Sequence, residues 1–196
     1  MYPRDLHVRL RDRLEADPRV RADPGDRLAA VLIPMIAEPA DGTAGSGPTV
    51  LFTRRTDGLS RHAGEISFPG GMVDPGDASL AAAALREADE ELGLSAADVD
   101  VLGALDPVHT VVSRILVVPF VGSIATRPPL RPDPGEIAEV LEVPLAELAA
   151  VETLVEVEPP GGGRWRGWAY DVDGGRIWGA TASMLHGFLE RIRTAG

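Results

Sequence analysis

The segment Arg86-Glu87-Ala88-Asp89-Glu90-Glu91 concentrates the side chains best suited to chemistry. On a helix turning about 100° per residue, Glu87, Glu90 and Glu91 fall within about 100° of arc. Ala81, Leu85, Ala88 and Leu92 gather within about 60° on the other side, a face for the core. The spacing thus pairs one apolar face with one triple-carboxylate face. Glu87 and Glu91 are like charges at i, i+4, a repulsion of about a few tenths of a kcal/mol. The cluster also sits in the C-terminal half of the helix, where the macrodipole favours cations. A bound Mg²⁺ or Mn²⁺ reverses both effects, because hard cations prefer carboxylate oxygens. The competing reading is a solvated acidic face partly neutralised by Arg86. Gly70 and Gly71 lie just upstream and, lacking side chains, let a backbone carbonyl approach a metal or phosphate; an ordinary tight turn is the plainer account.

The elements that must position this segment follow from the pattern around it. A helix is predicted over about 78–92, with Asp77 as its N-cap and Gly93 as its C′ residue. Leu28 to Ile36 is a continuous apolar run that reads as a buried strand, and Thr49 to Thr53 as its hairpin partner. Further strands are predicted near 99–105 and 114–124, a Pro-rich loop over 126–135 and a short helix over 144–150. Trp165–Val172 and Arg176–Trp178 flank an Asp173-Gly174 hairpin turn, and a helix over roughly 180–193 closes the chain. Leu6, Leu10 and Leu14 mark an amphipathic helix over 4–16. Strands alternating with helices indicate a layered α/β domain, read as residues 28–196 behind an N-terminal helical appendage of residues 1–27.

Composition removes several kinds of chemistry. There is no cysteine among the 196 residues, which excludes disulfides, thiolate nucleophiles and Cys-ligated zinc and leaves the cytoplasm as the default compartment. All 19 basic residues counted as Lys+Arg are arginine, so Schiff-base lysines and a Walker-type phosphate loop are excluded. The net charge of −11 argues against a general nucleic-acid binder, although an anionic substrate is compatible with metal ions and a few arginines inverting the field locally. No apolar run approaches a membrane span, and the N-terminus lacks a secretory h-region. Other constellations fail. Asp171-Val172-Asp173-Gly174 starts like a calcium loop, but its twelfth position is Ala182. Ser67 has no nucleophile-elbow context, and His62, His109 and His186 have no zinc spacing.

From Gly71 to Leu94 the chain resembles the Nudix box, G-x5-E-x7-R-E-U-x-E-E-x-G-U, where U is bulky and apolar. Arg86-Glu87-Ala88-Asp89-Glu90-Glu91-Leu92-Gly93-Leu94 fits the second half, with Ala88 small for a U position. The first half departs: Asp77 stands where Glu is usual, and eight residues instead of seven separate it from Arg86. The family pairs this acid with the box arginine, a role carried to Asp77. A second stretch, Leu51-Phe52-Thr53-Arg54-Arg55-Thr56, then Gly64, then Phe68-Pro69-Gly70-Gly71, is similar to L-L-T-x-R-[SA]-x3-R-x3-G-x3-F-P-G-G. That motif accompanies the box in coenzyme A pyrophosphatases of the Nudix superfamily. Phe52, Thr56 and Ser60 depart from it, with Arg61 one position beyond the missing arginine. Ile177-Trp178-Gly179-Ala180-Thr181 before a helix is also similar to that subfamily.

The resemblance implies the Nudix fold, an α/β/α sandwich around a mixed β-sheet. It implies Glu87 and Glu91 as ligands of Mg²⁺ or Mn²⁺, helped by the Gly71 carbonyl, with Glu90 as a further ligand or the group that polarises the attacking water. Arg86 would hold the carboxylates in place. Glu136 would supply another ligand or the general base, against the alternative of a solvated glutamate before a strand. Arg54, Arg55 and Arg61, with His62, are the expected contacts for the nucleotide phosphates. Phe68 is read both as a core residue and as a platform for the base. The implied reaction is hydrolysis of coenzyme A or its thioesters. The rivals are the same chemistry on ADP-ribose or a dinucleotide, and a Nudix-fold binding module without turnover. The expected partner is a small-molecule nucleotide, with no nucleic acid and no membrane; a homodimer is compatible with the sequence, which specifies no oligomeric state.

Overall fold

The apolar run at 28–36 lies in the strand on which the domain is built, β1 (Arg27–Glu38). Its side chains alternate between two cores, as period 2 requires. Ala29, Val31, Ile33 and Met35 join one buried cluster, and Ala30, Leu32 and Ile36 join the other. A strand buried on both faces has no polar side to show, which is why the run is unbroken. The structure, a computed structural model, describes residues 5–16, 18, 20–38, 47–56, 64–110, 114–157 and 165–195.

β1 pairs in parallel with β7 (Ile115–Thr126) over most of its length and antiparallel with β2 (Thr49–Arg55), as the predicted hairpin requires. β2 carries β3 (Ile66–Ser67) and β8 (Ile137–Pro144), β1 also takes β4 (Gly70–Met72), and β7 takes β5 (Asp100–Ala104) and β6 (Val108–His109). The sheet is therefore mixed. A second, three-stranded sheet runs β11-β10-β9, formed by β9 (Glu152–Val157), β10 (Trp165–Val172) and β11 (Gly175–Ile177). The turn predicted at Asp173-Gly174 joins the last two antiparallel strands.

The helices cover both faces of the main sheet. α2 (Leu80–Leu92) packs on one through Ala83, Ala84, Ala88 and Leu92. α1 (Leu6–Arg11), α3 (Leu145–Val151) and α4 (Gly179–Ala195) contribute to the other through Leu6, Leu10, Leu145, Leu148, Leu185 and Phe188. Each such Leu or Phe contributes roughly 1.5–3 kcal/mol by leaving water, so sealing both faces is the largest local driving force available. The α/β class with helices about a mixed sheet is thus the observed architecture.

The predicted 4–16 helix is shorter than its leucine spacing suggests. It ends at Arg11 because the following chain pairs with the sheet instead, Glu15 bridging Ala104 through two backbone hydrogen bonds of 3.2 and 2.8 Å. Leu6 and Leu10 are buried in the same cluster as α4. α4 is tied in turn to the second sheet by Glu152, whose carboxylate accepts from the Tyr170 hydroxyl at 2.7 Å and Arg193 at 2.6 Å and meets His186 at 3.0 Å. Among the described residues no helix is long and apolar enough to cross a membrane.

Candidate active site

Ser79, not Asp77, caps α2: its hydroxyl accepts from the Ala82 amide at 3.1 Å. The expectation of an Asp77 cap gives way because Asp77 has a stronger partner. Its two carboxylate oxygens take the Arg86 Nε and Nη2 at 3.0 and 3.2 Å, a bidentate charge-assisted pair. Arg86 donates further to Glu87 at 2.9 Å, Glu90 at 3.0 Å and the Met72 carbonyl at 3.1 Å. Asp77 thus holds the box arginine, and that arginine braces two acids of the helix against the strand before it.

The three acids do not share one environment. The buried stripe of α2 runs Ala84, Ala88, Glu91 and Leu92, which brings Glu91 to the sheet side rather than to the triple-carboxylate face opposite the core that spacing predicts. Glu91 is only 6% exposed, Glu87 is half-buried and Glu90 is exposed. The reason lies in β4. A Cβ at Gly70 would stand 2.5 Å from the Ala30 carbonyl oxygen and the Val31 Cα, so the strand can lie against β1 only with glycine there, at φ 151°. From that position the Gly70 amide donates to Glu91 at 3.3 Å. A Cβ at Gly71 would stand 2.6 Å from the carboxyl carbon and both oxygens of Glu87. The Gly-Gly pair therefore opens a cradle for two carboxylates.

Glu136 reaches the same place from 45 positions beyond Glu91, by way of the Pro-rich loop. The loop docks on the C-terminal end of α2, where the Arg131 and Asp133 amides donate to the Leu92 and Glu91 carbonyls at 2.7 and 2.9 Å. These bonds satisfy carbonyls that every helix end leaves open, beside Gly93 in the left-handed conformation at φ 64°. Asp133 then turns the chain, accepting from the Gly135, Glu136 and Ile137 amides. Arg55 stands between the two acids, 3.7 Å from Glu91 and 3.6 Å from Glu136.

Burial is the main cause that raises the carboxyl of Glu91 to about 7, with the Gly70 amide and Arg55 opposing it and Glu87 and Glu136 adding to it. Burial likewise raises Glu87 against the pull of Arg86, with Glu90 and Glu136 again adding. Acids whose charges add to the rise at Glu87 and Glu91 form a donor set suited to a hard divalent cation, whose own charge opposes that rise. Glu87, Glu91 and Glu136 around the glycine cradle could supply ligands to one.

The arginines expected to contact phosphates separate. Arg54 and Arg55 are neighbours on β2 and turn to different partners, as strand alternation dictates. Arg54 pairs with Glu139 across β8, and a Cβ at Gly174 in the β10–β11 turn would stand 3.1 Å from its Nη2. Arg55 faces α2. A register shift between the two arginines in the β2–β8 ladder, where Arg54 opposes Glu139 and Arg55 opposes Ile137, sets Glu136 beside Thr56, whose amide donates to the Glu136 carbonyl at 2.9 Å, one residue from Arg55. Arg61 and His62, with Ser60, lie outside the described residues. Phe68 is buried and stacked on Phe52 with ring centroids 4.8 Å apart, so it is a core group here. Asp133 and the two docking amides are not singled out by the sequence; Asp133-Pro134-Gly135, at the end of the Pro-rich loop, is the available signal, and by itself it marks only a turn.

A second group, Asp23, Asp26 and His109, has metal-ligand chemistry elsewhere. Asp26 is already engaged: His109 lies at 3.0 Å, the Asp23 amide donates at 3.0 Å and Arg114 is 3.8 Å away. Its charge is compensated within the group.

An α/β fold that holds a helix of clamped carboxylates against a glycine cradle is an arrangement suited to a hard divalent cation. The protein-family model described as NUDIX domain matches residues 27–160, and the chain belongs to the Nudix hydrolase family. Nudix hydrolases generally use divalent metals, and the chain is a pyrophosphatase of that family. It is 37% identical over 177 residues to a Photorhabdus laumondii protein named uncharacterized Nudix hydrolase NudL, covering 90% of each chain. Its fold is shared with a MutT/nudix family protein of Enterococcus faecalis, at 14% identity and a TM-score of 0.55 over 90% of this chain and 66% of that one. It is shared too with the NUDIX domain of Shewanella oneidensis NrtR, cocrystallised with ADP ribose, at 17% identity and a TM-score of 0.50 over 66% of this chain and 82% of that one.

Proposed function

We propose that this chain hydrolyses the diphosphate linkage of coenzyme A or its thioesters, giving 3′,5′-ADP and 4′-phosphopantetheine or its acylated form. The observation that carries the reading is the meeting of Arg55 with Glu91 and Glu136 beside the Gly70-Gly71 cradle. Arg55 occupies the first arginine position of the stretch that resembles the coenzyme A motif, and Phe68-Pro69-Gly70-Gly71 closes that stretch. The motif therefore supplies a cation directly beside the acids.

Glu87 and Glu91, with the Gly71 carbonyl, would hold Mg²⁺ or Mn²⁺. Such ions neutralise diphosphate charge and stabilise the leaving phosphate. Arg86 keeps Glu87 and Glu90 in place rather than touching substrate, since its donors are already taken by Asp77, the two glutamates and the Met72 carbonyl. Glu90, exposed beside them, serves as a further ligand or orients the attacking water. Glu136, half exposed and carried by the loop, serves as another ligand or as the general base. Arg55 is the group among the described residues for a phosphate of the nucleotide, and Arg61 and His62 are assigned to the same task from the motif. We place the reaction in the cytoplasm on the cysteine-free composition.

A second reading keeps the chemistry and changes the nucleotide; the ADP ribose held by the NrtR domain favours it. Product analysis separates the two. Coenzyme A, ADP-ribose, diadenosine polyphosphates and dNTPs are each incubated with Mg²⁺, Mn²⁺ or EDTA. Metal-dependent release of 3′,5′-ADP from coenzyme A, well above turnover of the others, is the expected result. Preferred turnover of another substrate would discard the coenzyme A assignment and keep the acidic helix.

A further inference from the structure

Among the described residues, Arg55 and Arg86 are held in opposite ways. Arg86 makes five hydrogen bonds of 2.9–3.2 Å, to Asp77 twice, Glu87, Glu90 and the Met72 carbonyl. No donor is left to reach a ligand, so it is fixed. Arg55 touches Glu91 at 3.7 Å and Glu136 at 3.6 Å, both beyond hydrogen-bond length, and its side chain is 26% exposed. Its backbone, by contrast, is pinned: the amide donates to the Glu65 carbonyl at 3.1 Å and the carbonyl accepts from Gly64 at 3.2 Å. A rigid strand thus presents a loosely engaged cation.

We propose that Arg55 is the built-in counter-cation of the site, bridging Glu91 and Glu136 until a divalent ion takes their oxygens, and then free to turn to the substrate's phosphates. Glu91 is nearly buried and Glu136 comes from a separate loop, so without a cation between them two like charges would face each other across the cleft. A guanidinium supplies that charge at ion-pair range without the tight bidentate geometry that would make it hard to displace. A divalent ion on the same oxygens supplies the charge that the guanidinium otherwise supplies, and repels it at that range. Metal loading and the release of a phosphate-binding arginine then become one event. The inference rests on the reading that Glu91 holds the metal.

The test is Mn²⁺ binding followed by the electron paramagnetic resonance of free Mn²⁺, on the full chain without substrate. Wild type, Arg55→Met, Arg55→Lys and Glu91→Gln are compared, with thermal melts in EDTA and in Mn²⁺. Removing a competing cation a few ångströms from the ion should tighten Mn²⁺ binding by about tenfold in Arg55→Met, with a smaller gain in Arg55→Lys, which keeps the charge but not the fork. Arg55→Met should melt earlier than wild type in EDTA and recover the difference in Mn²⁺. In turnover its KM should rise more than its kcat falls, a split that a merely structural arginine would not give. If Arg55→Met does not fold in EDTA, Arg55→Lys carries the comparison. Loss of Mn²⁺ binding in Glu91→Gln with unchanged or weaker binding in both Arg55 variants overturns the Arg55 assignment alone. Equal Mn²⁺ binding by wild type and Glu91→Gln overturns the metal reading, and this inference with it.

Discussion

Replacing Glu91 with Gln separates what the site needs for chemistry from what the fold needs for stability. In the metal-free protein the Glu91 carboxyl is raised from 4.5 to about 7, chiefly by burial. A carboxyl that holds its proton more tightly folded than unfolded favours the fold below its ordinary range. That advantage is lost as pH rises from about 4.5 through about 7. At about 1.36 kcal/mol per pH unit of displacement, the native state forfeits about 3 kcal/mol between pH 4 and 8. Gln has the same shape, keeps an oxygen for the Gly70 amide and carries no charge. In EDTA, Glu91→Gln should therefore equal wild type near pH 4.5 and exceed it near pH 8, by roughly 6–12 °C in Tm for a chain of this size. The same variant should lose most turnover in Mg²⁺ or Mn²⁺. The assay is a series of thermal melts from pH 4.5 to 8.5 in EDTA, run in parallel for both proteins. Identical pH slopes for the two would refute the burial argument, and near-normal turnover would sink the metal assignment.

Gly71→Ala places a methyl 2.6 Å from the Glu87 carboxyl, so turnover should fall at least about tenfold. Gly70→Ala meets backbone at 2.5 Å and should instead unfold the protein early, by about 3 kcal/mol or more in denaturant melts. Ser79→Ala removes the helix cap and should cost about 1 kcal/mol of stability with kcat unchanged. Asp77→Ala leaves the Arg86 fork without its bidentate partner and should lower kcat, which steady-state kinetics would show against Ser79→Ala as the control. Glu136→Gln should flatten the limb of the pH–rate profile that belongs to the general base, and an unaltered profile would remove Glu136 from that role.

Much of this protein is legible in its residue order because the signals are local. The apolar run at 28–36, the Asp173-Gly174 turn and the Gly93 stop each act within a few residues of themselves, and each forms the element expected. The acids of α2 and the glycines before it could be singled out for the same reason. Local spacing could not decide which way the helix turns. Asp77 reads as a cap until Arg86, nine residues on, folds back to it, and Glu91 reads as one of three acids opposite the core until the Gly70 amide meets it. Short β3, β4 and β6 pass unnoticed because two or three residues carry no period; they exist only through pairing with β1, β2 and β7. The convergence of Arg55, Glu91 and Glu136 is likewise a product of sheet register and of a loop docked on a helix end. Sequence chose the chemical groups; their burial, and hence the charge each prefers, was set by long-range packing, since desolvation depends on neighbours brought in from far along the chain.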